Sequence, residues 1–277
     1  MAKFLKEETF STWGEFLKTS QEPSNSGYHQ SVRNDASFAG GLTFEEATKM
    51  AQVGWLDATD KTKTLTEQLV NKVVQLIEVP CLMYDVEGID FDISRVLTGE
   101  PESWYRFETK LVEGEGTDLI HIVINCSVSA GVDCEAIIKR GAMIVALIEL
   151  LEYAGKKVTV SMIGVFGSPS DKDQYEGYSY QVTIKRAGMP LDVPFLLFAI
   201  AHPASFRRLG FRLAERHQDV MNEIGACYGY PVNVPKDKQG DIYFPCVHLY
   251  RDLEAYRDPE KFILDTLKAN GIEAKVA

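Results

Sequence analysis

Positive charge is in short supply in this sequence, with 29 Lys and Arg against 40 Asp and Glu and a net charge of −11 over 277 residues. Broad wrapping of nucleic acid or of an anionic membrane would therefore meet electrostatic repulsion. Cysteine is also sparse. Cys81, Cys126, Cys134, Cys227 and Cys246 are scattered, odd in number and form no Cys-x-x-Cys pair. That excludes a disulfide framework or a zinc ribbon and fits a reducing, cytoplasmic setting. No apolar run approaches the roughly 20 residues of a membrane-spanning helix; the longest, 141–148, is far too short. The first eight residues alternate charges with few apolar ones, unlike a secretory signal. Asn125-Cys126-Ser127 then reads as a chance match to a glycosylation acceptor. Phosphate loops are missing too: residues 164–168 lack the lysine and the length of a P-loop, and no Gly-x-Gly-x-x-Gly run follows a strand.

What is present is a hydrophobic content of 45%, enough for a buried core. Residues 1–80 read as a helical extension with irregular connections. Trp13, Phe16 and Leu17 lie at helical spacing, and a Pro/Ser/Asn/Gly loop follows at 20–27. Thr43 and Glu46 form a capping-box pattern before Ala47, Met50 and Ala51, with Gly54 as the stop. Leu65, Leu69, Val73 and Leu76 mark a third helix that Pro80 ends. From Cys81 the texture changes to strands. Residues 82–86 and 89–93 suggest a hairpin around Glu87-Gly88, and 105–112 alternates loosely.

The most diagnostic stretch starts with the nearly continuous apolar run 119–124, expected of a strand covered on both faces. Asp133 then caps a helix reaching about Ala154, with Lys139, Arg140, Glu149 and Glu152 on its wet side and Gly155 past its end. A strand at 157–163 completes a right-handed βαβ unit. Residues 164–177 read as a polar loop and 180–185 as an antiparallel edge strand. Helices at 193–201 and 204–223 flank a break at His202-Pro203, a strand covers 242–249, and Asp258-Pro259 opens a terminal helix. Together these elements predict an α/β domain over 81–277, with a doubly wound, mostly parallel sheet and a small strand region.

The loop Asn125-Cys126-Ser127-Val128-Ser129 leaves the buried strand with oxygen-bearing side chains at alternate positions, which can converge on a hard divalent cation. It resembles the metal-ion-dependent adhesion site of von Willebrand factor A type domains, and the likeness covers about residues 118–255. The resemblance implies a Mg²⁺ or Mn²⁺ shell drawn from Asn125, Ser127 and Ser129, with Asp192 from a second loop and Asp252 as the later acid. Asn125 replaces the family's aspartate, and Val128 stands where many members have glycine. The competing reading is a scaffold loop whose side chains satisfy backbone groups near the helix start. The whole chain, including the phrases at 37–47 and 97–101, is also similar to an uncharacterised group of tailed-phage proteins.

Elsewhere, Arg208, Arg212 and Arg216 recur every fourth residue with Arg207 beside them. They form either a solvated face paired with acids such as Glu215 or a dock for an acidic partner. His121 reads as structural in its apolar strand, and His202 as a hydrogen-bonding group at a helix break. Asp85, Asp90 and Asp92 read as strand positions on a wet face. Cys126 has no histidine and acid at a spacing that implies a nucleophile. The expected function is a non-catalytic protein-interaction or assembly module working at the carboxyl edge near 125–131. The alternatives are a metal-dependent hydrolase at that edge and an acidic mimic that blocks a nucleic-acid-binding host protein.

Overall fold

The computed structural model describes residues 3–74, 81–88, 90–108, 119–170, 174–225 and 227–272. Its strands are β1 (Lys3–Phe10), β2 (Cys81–Asp85), β3 (Asp90–Phe91), β4 (Trp104–Glu108), β5 (Leu119–Asn125), β6 (Lys157–Ser170), β7 (Gln174–Lys185) and β8 (Ile242–Phe244). Five of them form one sheet in the order β1-β7-β6-β5-β8. Every neighbouring pair in it is parallel except β6 with β7. The helices are α1 (Trp13–Ser20), α2 (Gln30–Arg33), α3 (Phe44–Val53), α4 (Leu56–Val74), α5 (Ile93–Thr98), α6 (Cys134–Tyr153), α7 (Val193–Ala201), α8 (Phe211–Ala214), α9 (Gln218–Ile224) and α10 (Pro259–Ala269). The protein is thus α/β, with a mostly parallel five-stranded sheet flanked by helices. Among the described residues, no helix is long and apolar enough to cross a membrane.

The apolar run of β5 explains its central place. Ile120, Ile122 and Ile124 face the main core beside α6 and α7, while Val123 meets Ile163, Val165, Val232 and Val234 on the opposite side. Such two-sided burial is what a strand without alternation requires. Asp133 caps α6 as expected, its Oδ1 accepting from Ala136 N–H at 2.9 Å. Because β5, α6 and β6 follow one another and β5 pairs parallel to β6, the βαβ unit is in place. The wet face expected of α6 is narrower than its sequence suggests. Arg140 is buried, and Glu152 pairs at 2.5 Å with the buried Lys185 of β7.

Three further expectations are corrected. The N-terminal segment opens with a strand rather than a helix: β1 runs parallel to β7, with an extra residue at Leu5 between Phe4 and Lys6. That bulge sends Phe4 to the Val123 side and Phe10 into the main core. The partner lies some 170 positions away, so no local signal marks this strand. The polar loop expected at 164–177 is strand on both sides of 171–173, which lie outside the described residues: β6 continues to Ser170 and pairs antiparallel with β7, which opens at Gln174. In the small sheet the order is β2-β4-β3, so β2 and β3 both flank β4 instead of pairing with each other. The helix stop at Pro80, and the part of the 105–112 strand beyond Glu108, lie outside the described residues.

Helix α3 carries the full capping box. Thr43 Oγ1 accepts from Glu46 N–H at 3.2 Å, and Glu46 Oε2 accepts from Thr43 N–H at 2.8 Å. Beyond Pro203 the chain passes through a π turn, Ser205–Gly210, before α8. Gly210 is required there, since a Cβ would stand 2.6 Å from the Tyr180 hydroxyl.

Candidate functional site at the carboxyl edge

The loop leaving β5 is held by its own polar side chains. Asn125 is fully buried; its Nδ2 donates to Val232 O at 2.8 Å and to Tyr243 Oη at 3.1 Å, and its Oδ1 accepts from Ser127 N–H at 3.0 Å. Ser127, also fully buried, accepts from Val165 N–H at 2.6 Å through its Oγ. Two backbone bonds then lay this loop along the segment after β8: Val247 N–H to Ser127 O at 3.0 Å and Ser129 N–H to Val247 O at 2.9 Å. Arg140 closes the base, donating to Asn125 O at 3.3 Å and to Pro245 O at 2.9 Å. A fixed guanidinium charge therefore stands among the carbonyls at the ends of both strands.

The cation shell implied by the von Willebrand A resemblance does not fit these donors. Asn125 turns its NH₂ toward the acceptors, and its oxygen serves a backbone N–H. Asp192 caps α7, accepting from Phe195 N–H at 3.1 Å. It lies roughly 10 Å along that helix from Ala199, the residue whose carbonyl meets Cys126 Sγ at 3.9 Å. Asp252 does follow the adjacent segment, but its Oδ2 accepts from the N–H groups of His248 and Leu249 at 2.9 and 2.8 Å. Of the expected set only Asn125, Ser127 and Ser129 share the loop, with Asp252 on the neighbouring turn. The first two and both aspartates act as caps, as short polar side chains beside chain turns commonly do. The acids of the small sheet are engaged as well. Asp92 caps α5, and Asp90 accepts from the Tyr105 hydroxyl at 3.3 Å.

Nucleophilic chemistry fares no better. Burial pushes the Cys126 thiol up to about 12, so at neutral pH it stays protonated. His202 lines the same small gap of about 10 Å³, where burial lowers it to about 4. Its Nδ1 accepts from Ala204 N–H at 3.1 Å. His121 Nε2 meets Ser161 Oγ at 2.9 Å, the structural role expected of it.

The arginine stripe is neither an open dock nor a solvated face, because its side chains are buried or largely covered, but the pairing with Glu215 expected of it is present through Arg212. Arg208 is 1% exposed and donates to the carbonyls of Leu42, Ser31, Asn34 and Asp35 at 2.9–3.3 Å. Arg207 donates to Phe38 O and Ser129 O, both at 2.8 Å. Arg212 reaches Glu22 O and the buried Glu215, and Arg216 pairs with Glu8 and Glu22. Two physical causes act together. The π turn breaks the every-fourth-residue face, and residues 22–42 lie over it with backbone carbonyls that need donors.

Sequence reasoning missed the cleft beside Ser129. Its volume is about 340 Å³, and one wall is the turn at 227–231. Tyr228 holds a left-handed φ of 57° there, unusual for a residue with a side chain. Its ring stacks on Phe211 with centroids 3.9 Å apart, and its hydroxyl donates to Glu215. Tyr230 pairs with Gly167 of β6 through bonds of 2.6 and 3.1 Å. The available signal was Cys227-Tyr228-Gly229-Tyr230-Pro231, an aromatic turn pattern.

Fold and site together define an α/β protein in which the carboxyl edge of a mostly parallel sheet carries an internally braced loop and an aromatic cleft. The chain belongs to the family described as Domain of unknown function (DUF7192), which matches residues 5–274. No curated protein and no solved structure matches it.

Proposed function

We propose that this chain is a non-catalytic protein-interaction or assembly module that docks its partner on the carboxyl edge of the sheet. One observation carries the reading. Asn125, Ser127 and Asp252 are engaged by backbone groups, while Tyr230 and Leu249 stay 51% and 43% exposed. His248, next to Leu249 in sequence, has its ring 5.9 Å from that of Tyr230. The bridge from Val128 to Val247 brings this segment beside the exposed Ala130. An apolar rim on a braced scaffold suits recognition, since little order is lost on binding. The resemblance to von Willebrand A domains and to tailed-phage proteins supports the same reading and extends it to a phage-encoded component. Cys126, Cys134, Cys227 and Cys246 are free, which supports a cytoplasmic setting.

The test compares Tyr230→Asp with Leu249→Asp for partner capture, using Leu97→Asp, at an 81% exposed site in the small-strand region, as control. Both edge variants should lose capture at unchanged melting temperature while the control retains it. Capture that survives both edge changes overturns the docking surface. Turnover of a substrate by the wild type overturns the non-catalytic reading.

A further inference from the structure

The aromatic cleft lies beyond the carboxyl end of β5, the edge at which open α/β sheets commonly receive ligands. From β5 the chain passes through α6 to β6 on one side, while β8 occupies the other. The cleft opens on the β6 side, between the loop at Val128–Ala130, Val165 and Phe166 of β6, and the turn at 227–231. At about 340 Å³ the cleft is at the small end of ligand-binding cavities, sized for one ring system.

Its chemistry is selective. None of its lining residues carries a charge, although a quarter of the chain is charged. A charged group entering would lose its hydration without a counter-charge. Arg207 stands nearby, but it lies 4.5 Å from the Phe38 ring centroid and donates to two carbonyls. The inner surface is built of locked rings: Phe166 stacks on Phe206 at 4.8 Å, and Phe211 stacks on Tyr228. Such faces and edges accept another ring in offset or edge-on contact. At the mouth, Ser129, Tyr230 and Cys227 place hydroxyl and thiol groups. The left-handed backbone of Tyr228 is held by its stack and by Glu215, and strain of this kind recurs at ligand clamps.

We infer that this cleft is a binding site for a small, uncharged aromatic molecule bearing one hydrogen-bonding substituent, of phenol or indole type. The inference goes beyond the docking surface and does not require it, since the cleft is internal to the rim that Tyr230 and Leu249 form.

The experiment titrates p-cresol and indole into the full chain, read by saturation-transfer NMR and by the melting temperature. At least one ring should bind saturably with Kd at or below about 1 mM and raise the melting temperature by mass action. p-Hydroxybenzoate, the same ring with a carboxylate, should bind at least about tenfold more weakly. Ala130→Trp and Cys227→Trp, at exposed positions on the mouth, should each weaken ring binding at least about tenfold by filling the space. Leu249→Asp should leave it unchanged, which separates this site from the docking rim. Lack of saturation by about 5 mM of either ring overturns the inference, as does equal affinity for p-hydroxybenzoate or indifference to both tryptophan variants. Binding of the peptide Gly-Gly-Tyr-Gly-Gly about tenfold tighter than p-cresol would make the cleft a socket for a partner's side chain and overturn the small-molecule assignment.

Discussion

Replacing Arg208 with Met keeps the apolar stem and removes all guanidinium donors. Four backbone carbonyls, those of Ser31, Asn34, Asp35 and Leu42, then lose their partner at a site that is 1% exposed. Hydrogen bonds to a charged donor contribute about 1.5–3 kcal/mol each, so four bonds set a gross loss near 6 kcal/mol or more. Against this, the variant no longer desolvates a cation, which costs several kcal/mol. The expected net destabilisation is about 3–5 kcal/mol, a large part of the roughly 5–15 kcal/mol that holds a domain folded. Arg208→Lys should fall between, because a point charge with three donors cannot span four acceptors. Urea unfolding gives the free energy, and native-state hydrogen exchange over residues 30–42 gives the location. A loss below about 1 kcal/mol, or ordinary protection of 30–42 in the Met variant, refutes the argument that this side chain fastens the segment.

Three other outcomes follow from the same geometry. Asn125→Asp should destabilise the fold by about 3 kcal/mol or more, since a carboxylate would face the Val232 carbonyl that now accepts a hydrogen bond; a Mg²⁺- or Mn²⁺-dependent rise in its melting temperature would overturn the capping role. Leu147→Ala, at a fully buried position on α6, should cost about 2–5 kcal/mol in urea unfolding, and a loss under about 0.5 kcal/mol would put that face in solvent. Burial holds His202 at about 4, below its ordinary value, so the unfolded chain binds the extra proton between those two limits. The stability it contributes is complete above about pH 6.5 and is lost as pH falls toward 4, at up to about 1.4 kcal/mol per unit. His202→Asn, which keeps an acceptor for Ala204 N–H, should flatten that part of the profile; identical slopes in the two proteins would refute it.

Elements with a local signature were legible in the sequence. The capping box at Thr43, the cap at Asp133 and the nearly continuous apolar run of β5 each state their structure within a few residues, and all three are present. What could not be read depends on distant partners. β1 is recognisable only beside β7, and the role of the arginines only once residues 22–42 lie against them. At the candidate site the sequence left a cation shell and a backbone-satisfying scaffold loop both open, for a related reason. Asn125 and Asp252 look alike whether they hold a cation or a backbone N–H, and the choice is made by neighbours such as Val232 and Leu249 that spacing does not reveal. The cleft needed two long-range events, the bridge from Gly167 to Tyr230 and the stack of Tyr228 on Phe211.

The pairing of β1 with β7 has a consequence for the order of events during synthesis. Residues 3–10 emerge from the ribosome before residues 176–182, which their ladder requires, and the segment after them requires Arg208 and Arg212. The edge of the sheet therefore closes late, across a loop whose entropy must be overcome before any contact rewards it. Until then the first strand waits in solvent, and its Lys3, Lys6, Glu7 and Glu8 give it the charged character that keeps an unpaired edge from joining another chain.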